Sequence, residues 1–348
     1  MSRLTEIEPK KFIILAVCAF FCFSVLIIYL GYSANRKMEE TVTEQFNRQQ
    51  LILAKKIAGD ITYHFKFLET SLRELNQFRE QNIDQRDEIV THATSLSTLL
   101  ADWLVLAVVH LDLERRGPVI FSKEEPALNK ELGIEYDHYF LWGTQPENRG
   151  KIIIGQTFRP DIGPFQNRRL MVMATPTWSM NPLQNSNSGY HFEGISLLIL
   201  DPVIIAQRYT RDVRSGETGY AKVLDHAGVF LSHYEETFVG EDSFTVRQKK
   251  NPDISYAKIN EIVRNDLLQG KEGTDWYISG WHRGTVGTMK KLFAYSPVVL
   301  PGTENEENLW SVGVTAPAAE VYGIVQSLVV RQWAIAGLFQ VVIFVGLA

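Results

Sequence analysis

The longest apolar stretch in the chain lies near its amino terminus. Residues 12–32 contain no charge and are rich in Phe, Ile, Leu and Val, and a helix needs about 20 apolar residues to cross the hydrocarbon core of a bilayer. Lys10 and Lys11 precede this run, as basic residues precede a secretory signal peptide, but the run is long for such a peptide and lacks a clear cleavage site. We therefore predict a cytoplasmic segment over residues 1–11 and an uncleaved transmembrane helix over residues 12–32.

A second apolar run ends the sequence. Residues 333–348 are interrupted only by Gln340, and with the residues before them they predict a second transmembrane helix over residues 327–348. The run is shorter than the roughly 20 residues that a span needs, so we expect this helix to be truncated and an output domain to follow Ala348. Basic residues flank the first span equally on both sides, so their count does not set its orientation.

The first element after the opening span is a long helix. Residues 33–116 contain no proline and only one glycine, Gly59, so the usual helix breakers are missing. Apolar residues recur at intervals of three, four and seven, namely Met38, Val42, Phe46, Leu53, Ile57, Ile61, Phe65, Leu68, Leu72 and Leu75. This period marks one face of a helix, and it predicts a stalk over residues 33–80 that pairs with its twin in a homodimer. A run of shorter bundle helices is the alternative.

Beyond the stalk, short β-prone segments separated by Gly, Pro and Asn predict two mixed modules. The first module, residues 81–200, has predicted strands at 105–113, 119–122, 152–158, 170–175 and 192–200. The second module, residues 216–326, has predicted strands at 220–224, 229–233, 289–296 and 309–314 and a helix at 254–268. A linker helix over residues 201–215 starts at Asp201-Pro202. The predicted fold class is therefore α+β, with antiparallel sheets and flanking helices between two apolar helices.

Composition and charge exclude several classes of protein. The chain is 45% hydrophobic and 22% charged, which is ordinary for globular domains. Its formal net charge of −5 offers no electrostatic footprint for nucleic acid. Both of its cysteines, Cys18 and Cys22, lie in the first apolar run, so the rest of the chain has no disulfide framework.

Motifs of catalysis are missing as well. The sequence contains no H-E-x-x-H, G-x-S-x-G, Walker or paired C-x-x-C motif, and its eight histidines show no short metal-ligand spacing. His226 and His233 lie seven residues apart across a predicted hairpin, where cross-strand neighbours are commoner than a metal pair. We therefore predict no catalytic residue, no metal ligand and no cofactor in this sequence.

Several segments of the second module resemble double Cache (dCache) sensor domains, which are extracytoplasmic domains of bacterial transmembrane receptors. The segments that carry the resemblance are Gly216-Glu217-Thr218-Gly219-Tyr220-Ala221, Leu224-Asp225-His226-Ala227-Gly228, Leu231-Ser232-His233, Lys291-Leu292-Phe293-Ala294-Tyr295-Ser296-Pro297-Val298 and Trp310-Ser311-Val312-Gly313-Val314-Thr315-Ala316-Pro317. The resemblance covers residues 33–330. It implies two stacked PAS-like modules, with residues 33–332 outside the cytoplasm of a bacterial cell and both spans in its inner membrane. The first module would then be membrane-distal and the second membrane-proximal.

The densest set of recognition residues lies in the first module. Small-molecule sites are mostly aromatic and apolar with a few polar groups, and an arginine fork suits a carboxylate or phosphate. The resemblance also implies a ligand in the membrane-distal module, behind an aromatic helix and loop. The predicted ligand contacts are Tyr139, Phe140, Trp142, Gln156, Phe158, Arg159 and Met173. The alternative is that these aromatic residues are core and that Arg159 forms a surface ion pair.

The sequence departs from the family's amino-acid-binding pattern in two places. No arginine stands two residues before an aromatic pair in residues 136–142, and residues 194–199 are apolar where the pattern has an aspartate. An amino-acid ligand is therefore disfavoured, because its ammonium group would lose a carboxylate partner. Arg159 and Arg169 leave an organic anion open, although Arg169 also fits a solvated strand edge.

These observations predict the sensory region of a transmembrane receptor, in which a ligand in the first module moves the second span relative to the first. The resemblance of residues 291–317 to kinase-linked domains favours a two-component histidine kinase, with a response regulator as its downstream partner. A methyl-accepting chemotaxis receptor or a diguanylate cyclase is the alternative. A membrane-tethered extracytoplasmic enzyme and a ligand-free assembly module are further alternatives, and the enzyme would need a catalytic constellation.

Overall fold

The computed structural model of the chain describes residues 9–122, 127–128, 131–180, 189–300 and 309–347. The first eight residues of the predicted cytoplasmic segment therefore lie outside the described residues. The chain divides into two compact units, one formed by the residues up to Gln49 together with those from Pro317 onward, the other by Gln50–Ala316. The described helices are α1 (Pro9–Gln81), α2 (Arg86–Ala101), α3 (Asp137–Gly143), α4 (Pro202–Thr210), α5 (Val246–Lys250), α6 (Ala257–Asn265) and α7 (Ala318–Leu347).

The first unit consists of two apolar helical segments, one from α1 and one from α7. Their most apolar windows have mean hydropathies of 2.1 and 1.9, and both helices are long enough to cross a membrane by length and composition. The rings of Phe20 and Phe344 lie 5.9 Å apart. A β-carbon on Gly31 would lie 2.9 Å from the indole of Trp333, so glycine lets this indole approach the α1 backbone.

The second unit contains two antiparallel sheets. The described strands are β1 (Val105–Leu111), β2 (Pro118–Phe121), β3 (Ala127–Leu128), β4 (Ile153–Ile154), β5 (Met171–Met180), β6 (Tyr190–Leu200), β7 (Tyr220–Leu224), β8 (Phe230–Ser232), β9 (Gly273–His282), β10 (Thr285–Val298) and β11 (Trp310–Pro317). The sheet of the first module has the order β3-β2-β1-β6-β5-β4, and that of the second has the order β8-β7-β11-β10-β9. The predicted α+β class, with a long leading helix and two sheets, is confirmed.

One hydrophobic core joins the stalk part of α1 to both sheets. One face of the helix, including Ile57 and Leu72, is buried against side chains from both modules. Phe65 meets Trp310 of β11 edge to face, with ring centroids 5.3 Å apart. Each fully buried side chain of this size contributes roughly 1.5–3 kcal/mol. From Ile57 to Leu75, the predicted apolar stripe therefore packs against the chain's own sheets.

Each sheet buries its other face in a separate core, which we name the outer core of its module. The first outer core comprises Ala107, Val109, Leu111, Val119, Phe121, Leu132, Ile134, Tyr139, Phe140, Phe165, Leu170, Val172, Ala174, Ile195, Leu197 and Ile199. The second outer core comprises Leu224, Phe230, Phe238, Val246, Tyr256, Ile259, Ile262, Val263, Leu267, Tyr277, Trp281, Phe293 and Tyr295. Alternate residues of a strand point to opposite faces, so each strand serves the shared core and one outer core.

The connection between the modules begins with the capped helix α4. Asp201 precedes the helix, and its Oδ1 accepts hydrogen bonds from the backbone nitrogens of Val203 at 3.0 Å and Ile204 at 3.2 Å. Pro202 occupies the first turn, where its missing N–H costs nothing. The Asp-Pro start predicted from the sequence is confirmed.

A single carboxylate links the two modules after α4. Asp225 is fully buried in the turn between β7 and β8, and its Oδ1 accepts hydrogen bonds from the backbone nitrogens of Ala227 at 3.0 Å and Val229 at 2.9 Å. Its Oδ2 accepts from Thr157 Oγ1 at 2.6 Å and from Arg169 Nη1 at 3.4 Å, both in the first module. Burial lowers the pKa of Arg169, and the charge of Asp225 opposes that shift. The predicted strand-edge arginine is thus a junction residue.

The largest difference from the predicted elements is β9, which the sequence did not indicate. Its ten residues Gly273–His282 include two glycines, and glycine weakens a strand signal. Gly280 is required by a close contact, because a β-carbon there would lie 2.2 Å from Asn251 Nδ2. Strand β9 pairs with β10 along most of its length.

Several predicted elements are shorter in the structure, including the linker helix predicted at residues 201–215, whose α-helical part is Pro202–Thr210. Of the strand predicted at residues 152–158, Ile153–Ile154 pairs with β5, and Phe158 forms an isolated bridge with Leu170. Of the helix predicted at residues 254–268, the α-helical part is Ala257–Asn265. In each case the remaining residues connect elements.

Candidate ligand-binding site

Helix α3 carries three of the predicted ligand contacts. Tyr139 and Phe140 are buried in the first outer core, and Trp142 is partly exposed. The Phe140 ring lies 6.0 Å from the Phe192 ring, nearly at right angles, and the Arg115 guanidinium stands 5.5 Å from the centre of the Phe140 ring. Burial raises the pKa of the Tyr139 hydroxyl above its ordinary value. Tyr139 and Phe140 thus belong to the module's packing.

Three further predicted contacts follow β4. Phe158 packs against the first outer core, whereas Gln156 and Arg159 are exposed. Arg159 reaches the second module, because a β-carbon on Gly240 would lie 2.3 Å from its Nη2 atom. Gly240 has a φ of +84°, a conformation that favours glycine. Arg159 therefore lies at the junction between the modules, near Arg169.

Met173 lies on the opposite face of the sheet from these residues. It is fully buried in the core shared with the stalk, together with Met171, whereas Val172 between them faces the first outer core. The structure thus brings Tyr139, Phe140 and Phe158 together and leaves Met173 apart. All seven predicted contacts remain predictions for the bound state.

An open cleft of about 590 Å³ lies beside the first outer core. Its apolar lining comes from Leu111, Val119, Leu132, Ile134 and Ile162, and its polar lining from Arg115, Arg116, Glu131, Glu135, Tyr136 and Asp161. None of the seven predicted contacts lines it among the described residues, although Tyr136 belongs to the same aromatic segment. A second cleft, of about 290 Å³, is lined by residues of β1, β2 and α4 and includes Arg168.

The rim of the larger cleft carries both signs of charge. Arg115 Nη1 lies 2.9 Å from Asp137 Oδ1 in an exposed ion pair, and Arg116 pairs with Glu114. Arg115 has a φ of +60°, in the left-handed region that non-glycine residues seldom occupy. Burial raises the pKa of Tyr136 to about 12, so its hydroxyl stays protonated and can donate. These groups can hold a small molecule that carries an anionic group.

The arginines at the rim were missed by the sequence analysis. Arg115 and Arg116 follow the predicted strand 105–113 directly, and polar residues in a loop after a strand are common in binding sites. Their place in a loop after a strand was the sequence signal that could have identified them as candidate binding residues. Glu131 and Glu135 are four residues apart, but Asp161 follows 26 residues later, and only the fold brings it to the same cleft.

A family model for Cache domains of the double type matches residues 34–325, most of the chain. The chain belongs to the double Cache family. It therefore carries a sensor domain of the kind found in histidine kinases and chemoreceptors.

Several solved double Cache structures resemble this fold. The extracellular domain of the proposed histidine kinase mmHK1S-Z3 aligns with a TM-score of 0.55 at 16% identity, over 83% of this chain and 98% of that domain. Methyl-accepting chemotaxis protein X aligns with a TM-score of 0.52 at 12% identity, over 81% and 99%. The ligand-binding domain of Campylobacter jejuni chemoreceptor Tlp3, solved with L-norvaline, aligns with a TM-score of 0.50 at 11% identity, over 81% and 94%. No curated protein sequence matches this chain.

The double Cache domain also contains a buried polar cluster on the stalk side of its first sheet. Arg79 of α1 donates to the backbone oxygens of Ile195 at 2.6 Å and Leu111 at 2.8 Å, and Ser196 Oγ lies 3.0 Å from His110 Nδ1. Burial lowers the pKa of Arg79 to about 10 and keeps the pKa of His110 well below its ordinary value. Because these groups satisfy one another's hydrogen-bonding atoms, we infer that they attach the stalk helix to the first sheet.

Metal binding finds no support in the described part of the double Cache domain. No group of three His, Cys, Asp or Glu side chains is placed there to hold a metal ion.

Proposed function

We propose that this chain is the ligand-sensing region of a bacterial transmembrane receptor, with a small molecule bound in the first, membrane-distal module. The cleft beside the first outer core carries this proposal, because its volume of about 590 Å³ is within the range of small-molecule sites. Its apolar floor and charged rim match the usual composition of such sites. The relative solved with L-norvaline supports a small-molecule ligand.

We assign the receptor to the two-component histidine kinases, with a response regulator downstream. The resemblance of residues 291–317 to kinase-linked domains supports this assignment. A chemotaxis receptor is the second candidate, supported by the similarity to a methyl-accepting chemotaxis protein. In both cases residues 33–332 lie outside the cytoplasm, and the apolar parts of α1 and α7 anchor the chain in the inner membrane.

The signal leaves the second module through its central strand. Strand β11 lies between β7 and β10 in the sheet and ends at Pro317, and α7 begins at the next residue, Ala318. No loop separates them, so a displacement of the sheet passes directly into the second apolar helix. A ligand that binds one arrangement of the modules more tightly shifts the population toward it.

A homodimer through the stalk is part of this proposal. Two large apolar side chains of the stalk, Ile52 and Tyr63, are exposed on the face opposite the buried stripe. They are eleven residues apart, about three helical turns, and so share that face. Disulfide crosslinking of Ile52→Cys and Tyr63→Cys, in a background with Cys18 and Cys22 replaced by serine, should give dimers in membranes. Glu261→Cys on α6 is the control, and equal crosslinking there would reject a specific stalk interface.

The ligand site is tested on the whole chain in lipid nanodiscs. Amino acids and small organic acids are screened by thermal unfolding, followed by the fluorescence of the chain's seven tryptophans. At least one compound should raise the unfolding temperature of the wild type and of Arg86→Ala, and lose this effect in Arg115→Ala. A compound that stabilises Arg115→Ala as much as the wild type would exclude the first cleft as its site.

A further inference from the structure

Three cationic side chains are buried on the outer face of the second sheet. Lys222 of β7 is 2% exposed, Lys291 of β10 is 1% exposed and Arg247 of α5 is 4% exposed. Lysine and arginine are almost never buried to this degree unless they are paired with an opposite charge. In these three residues, which we name the cation cluster, burial disfavours the charged form unless an opposite charge lies nearby.

The described part of the chain provides no such partner. None of the three residues forms an ion pair there, and neither ammonium group donates a hydrogen bond to a described residue. The nearest acidic influence on Lys291 is Glu235, whose carboxylate is already engaged by Lys250 and by the hydroxyl of Tyr234. The cluster thus has an excess of positive charge in an interior position.

Aromatic rings surround the cluster instead. Lys222 Nζ lies 4.5 Å from the ring centre of Phe293 and 5.1 Å from that of Tyr277. Lys291 Nζ lies 5.6 Å from the ring centre of Tyr220. A cation–π contact is weaker than the hydration that a buried ammonium loses. The rings therefore contact the ammonium groups but do not balance their charge.

Buried hydrogen-bonding atoms beside the cluster also lack partners. Arg247 donates from Nη1 to the backbone oxygen of Ser243 at 2.6 Å, while its Nη2 has no partner. The hydroxyl groups of Ser243 and Tyr256 are unpartnered as well. Buried polar atoms are normally satisfied, so several orphaned ones together indicate a place for another molecule.

Gly313 of β11 makes room for this arrangement. It is paired with Lys222 in register, and a β-carbon on it would lie 2.6 Å from the Phe293 ring and 3.1 Å from Lys222 Cε. A side chain at this position would displace both residues. The lysine stem therefore crosses the central strand over a glycine, which brings its ammonium group to the rings of β9 and β10.

The pKa shifts of the two lysines agree with this geometry. Burial lowers the pKa of Lys291 to about 7 and that of Lys222 well below its ordinary value, and the neighbouring cations lower both further. The titratable and charged groups around Lys291 on the packed elements are Tyr220, Lys222, His233, Glu235, Arg247 and Lys250. An added negative charge would reverse these shifts.

We propose that the cation cluster of the second module binds a small organic carboxylate, at a site separate from the cleft of the first module. A carboxylate presents two oxygens in a plane, which the free edge of Arg247 can engage while the two ammonium groups lie nearby. The surrounding rings of Tyr277 and Phe293 suit the apolar part of such a molecule. This site goes beyond the proposed function, which places the ligand in the first module.

The test is calorimetric titration of the whole chain in nanodiscs with acetate, lactate, succinate and benzoate, and with inorganic phosphate as a different anion. At least one carboxylate should bind the wild type and Lys249→Met, which changes an exposed lysine on the same helix as Arg247. Binding should weaken by about 10- to 100-fold in Arg247→Lys and Lys291→Met, as expected when a hydrogen bond to a charged group is lost. Arg86→Ala, which changes an exposed arginine outside both sites, should bind as the wild type does.

A proton measurement separates direct binding from a change in folding. Because a bound carboxylate raises the pKa of Lys291, binding at pH 8 should take up a proton, seen as different binding enthalpies in Tris and HEPES buffers. Lys291→Met should abolish this uptake.

Four results overturn the proposal. They are no binding of any carboxylate, binding of phosphate alone, unchanged affinity in both cluster variants, and affinity lost in Arg115→Ala instead. The last result would place the carboxylate in the first module and support the proposed function while rejecting this site.

Discussion

The two modules repeat one architecture and differ in the polarity of what their outer cores bury. In the first module the outer core is apolar and aromatic, and its charges lie at the rim of an open cleft, where the side chain of Arg115 is 52% exposed. In the second module Lys222, Lys291 and Arg247 lie inside, among aromatic rings. The charged groups of the first module are thus accessible without any change in its core, whereas those of the second module are buried within it.

The strands that face the two outer cores carry different residues. Strand β1 presents Val109 to the first outer core, whereas β7 presents the buried Lys222 to the rings of Tyr277 and Phe293. Gly313 beside Lys222 provides the room that the lysine stem needs.

The largest loss of stability should come from breaking the polar contact between the two modules. Asp225→Ala removes the acceptor of the β7–β8 turn and leaves Arg169, whose side chain is 14% exposed, without its carboxylate. Breaking a buried ion pair costs about 3–5 kcal/mol, and the partial exposure of Arg169 puts the expected loss at the lower end of that range. Urea unfolding followed by tryptophan fluorescence should show this loss. Asp253→Ala, an exposed position in the same module, serves as the control, and equal stability of the two variants would contradict the assigned junction.

The next largest effect should be on the pH dependence of the free energy of unfolding, through Lys291 of the second module. Lys291 has a lowered pKa in the folded chain, so between pH 7.5 and 9.5 the unfolded chain binds more protons and the free energy of unfolding rises with pH. One such lysine gives a slope of about 1.4 kcal/mol per pH unit. Lys291→Met should reduce the slope by that amount and stabilise the chain at pH 7.5, while Lys249→Met should leave the slope unchanged.

A smaller loss of stability should follow when one glycine in each module is replaced by alanine. Gly313→Ala forces the Phe293 ring and Lys222 to move, and Gly155→Ala meets the Tyr139 hydroxyl, 2.1 Å from the added carbon. Overpacking of this kind costs about 1–3 kcal/mol. Thermal unfolding should show a loss in both variants, but only Gly313→Ala should also alter the pH slope, since only it displaces a lysine. Identical slopes in both would argue against the role given to Gly313.

The smallest effect should be at the rim of the first cleft. Arg115→Ala removes an exposed ion pair, and such pairs are worth about 0–1 kcal/mol. The unfolding free energy should therefore stay within about 1 kcal/mol of the wild type. A larger loss would show that the positive φ of Arg115 or its contact with Phe140 supports the fold. It would contradict the view that the charges of the first module, unlike those of the second, contribute little to stability.

Much of the fold was predictable because its signals are local. The Asp201-Pro202 start of α4 and strand β7 follow from adjacent residues, and the apolar stripe of the stalk follows from its period. Strand β9 was missed because its glycines, which serve close contacts such as that of Gly280, read as breaks.

The candidate sites were less predictable, since they depend on which face a residue occupies. Residues Met171 to Met173 are all apolar, so alternation could not assign Met173 to the stalk side. Lys222 and Lys291 read as exposed because lysine usually is. Only the position of β11 between β7 and β10 brings them to one buried face of the sheet.

The position of β11 also restricts the kind of motion that the receptor can use. A strand held on both sides cannot slide along its axis without breaking two ladders of hydrogen bonds, and a slip of one residue would turn Trp310 and Val312 out of the shared core. Strand β11 therefore cannot move along its own axis while its neighbours stay in place. Any displacement of β11 must therefore involve the neighbouring strands of its sheet as well.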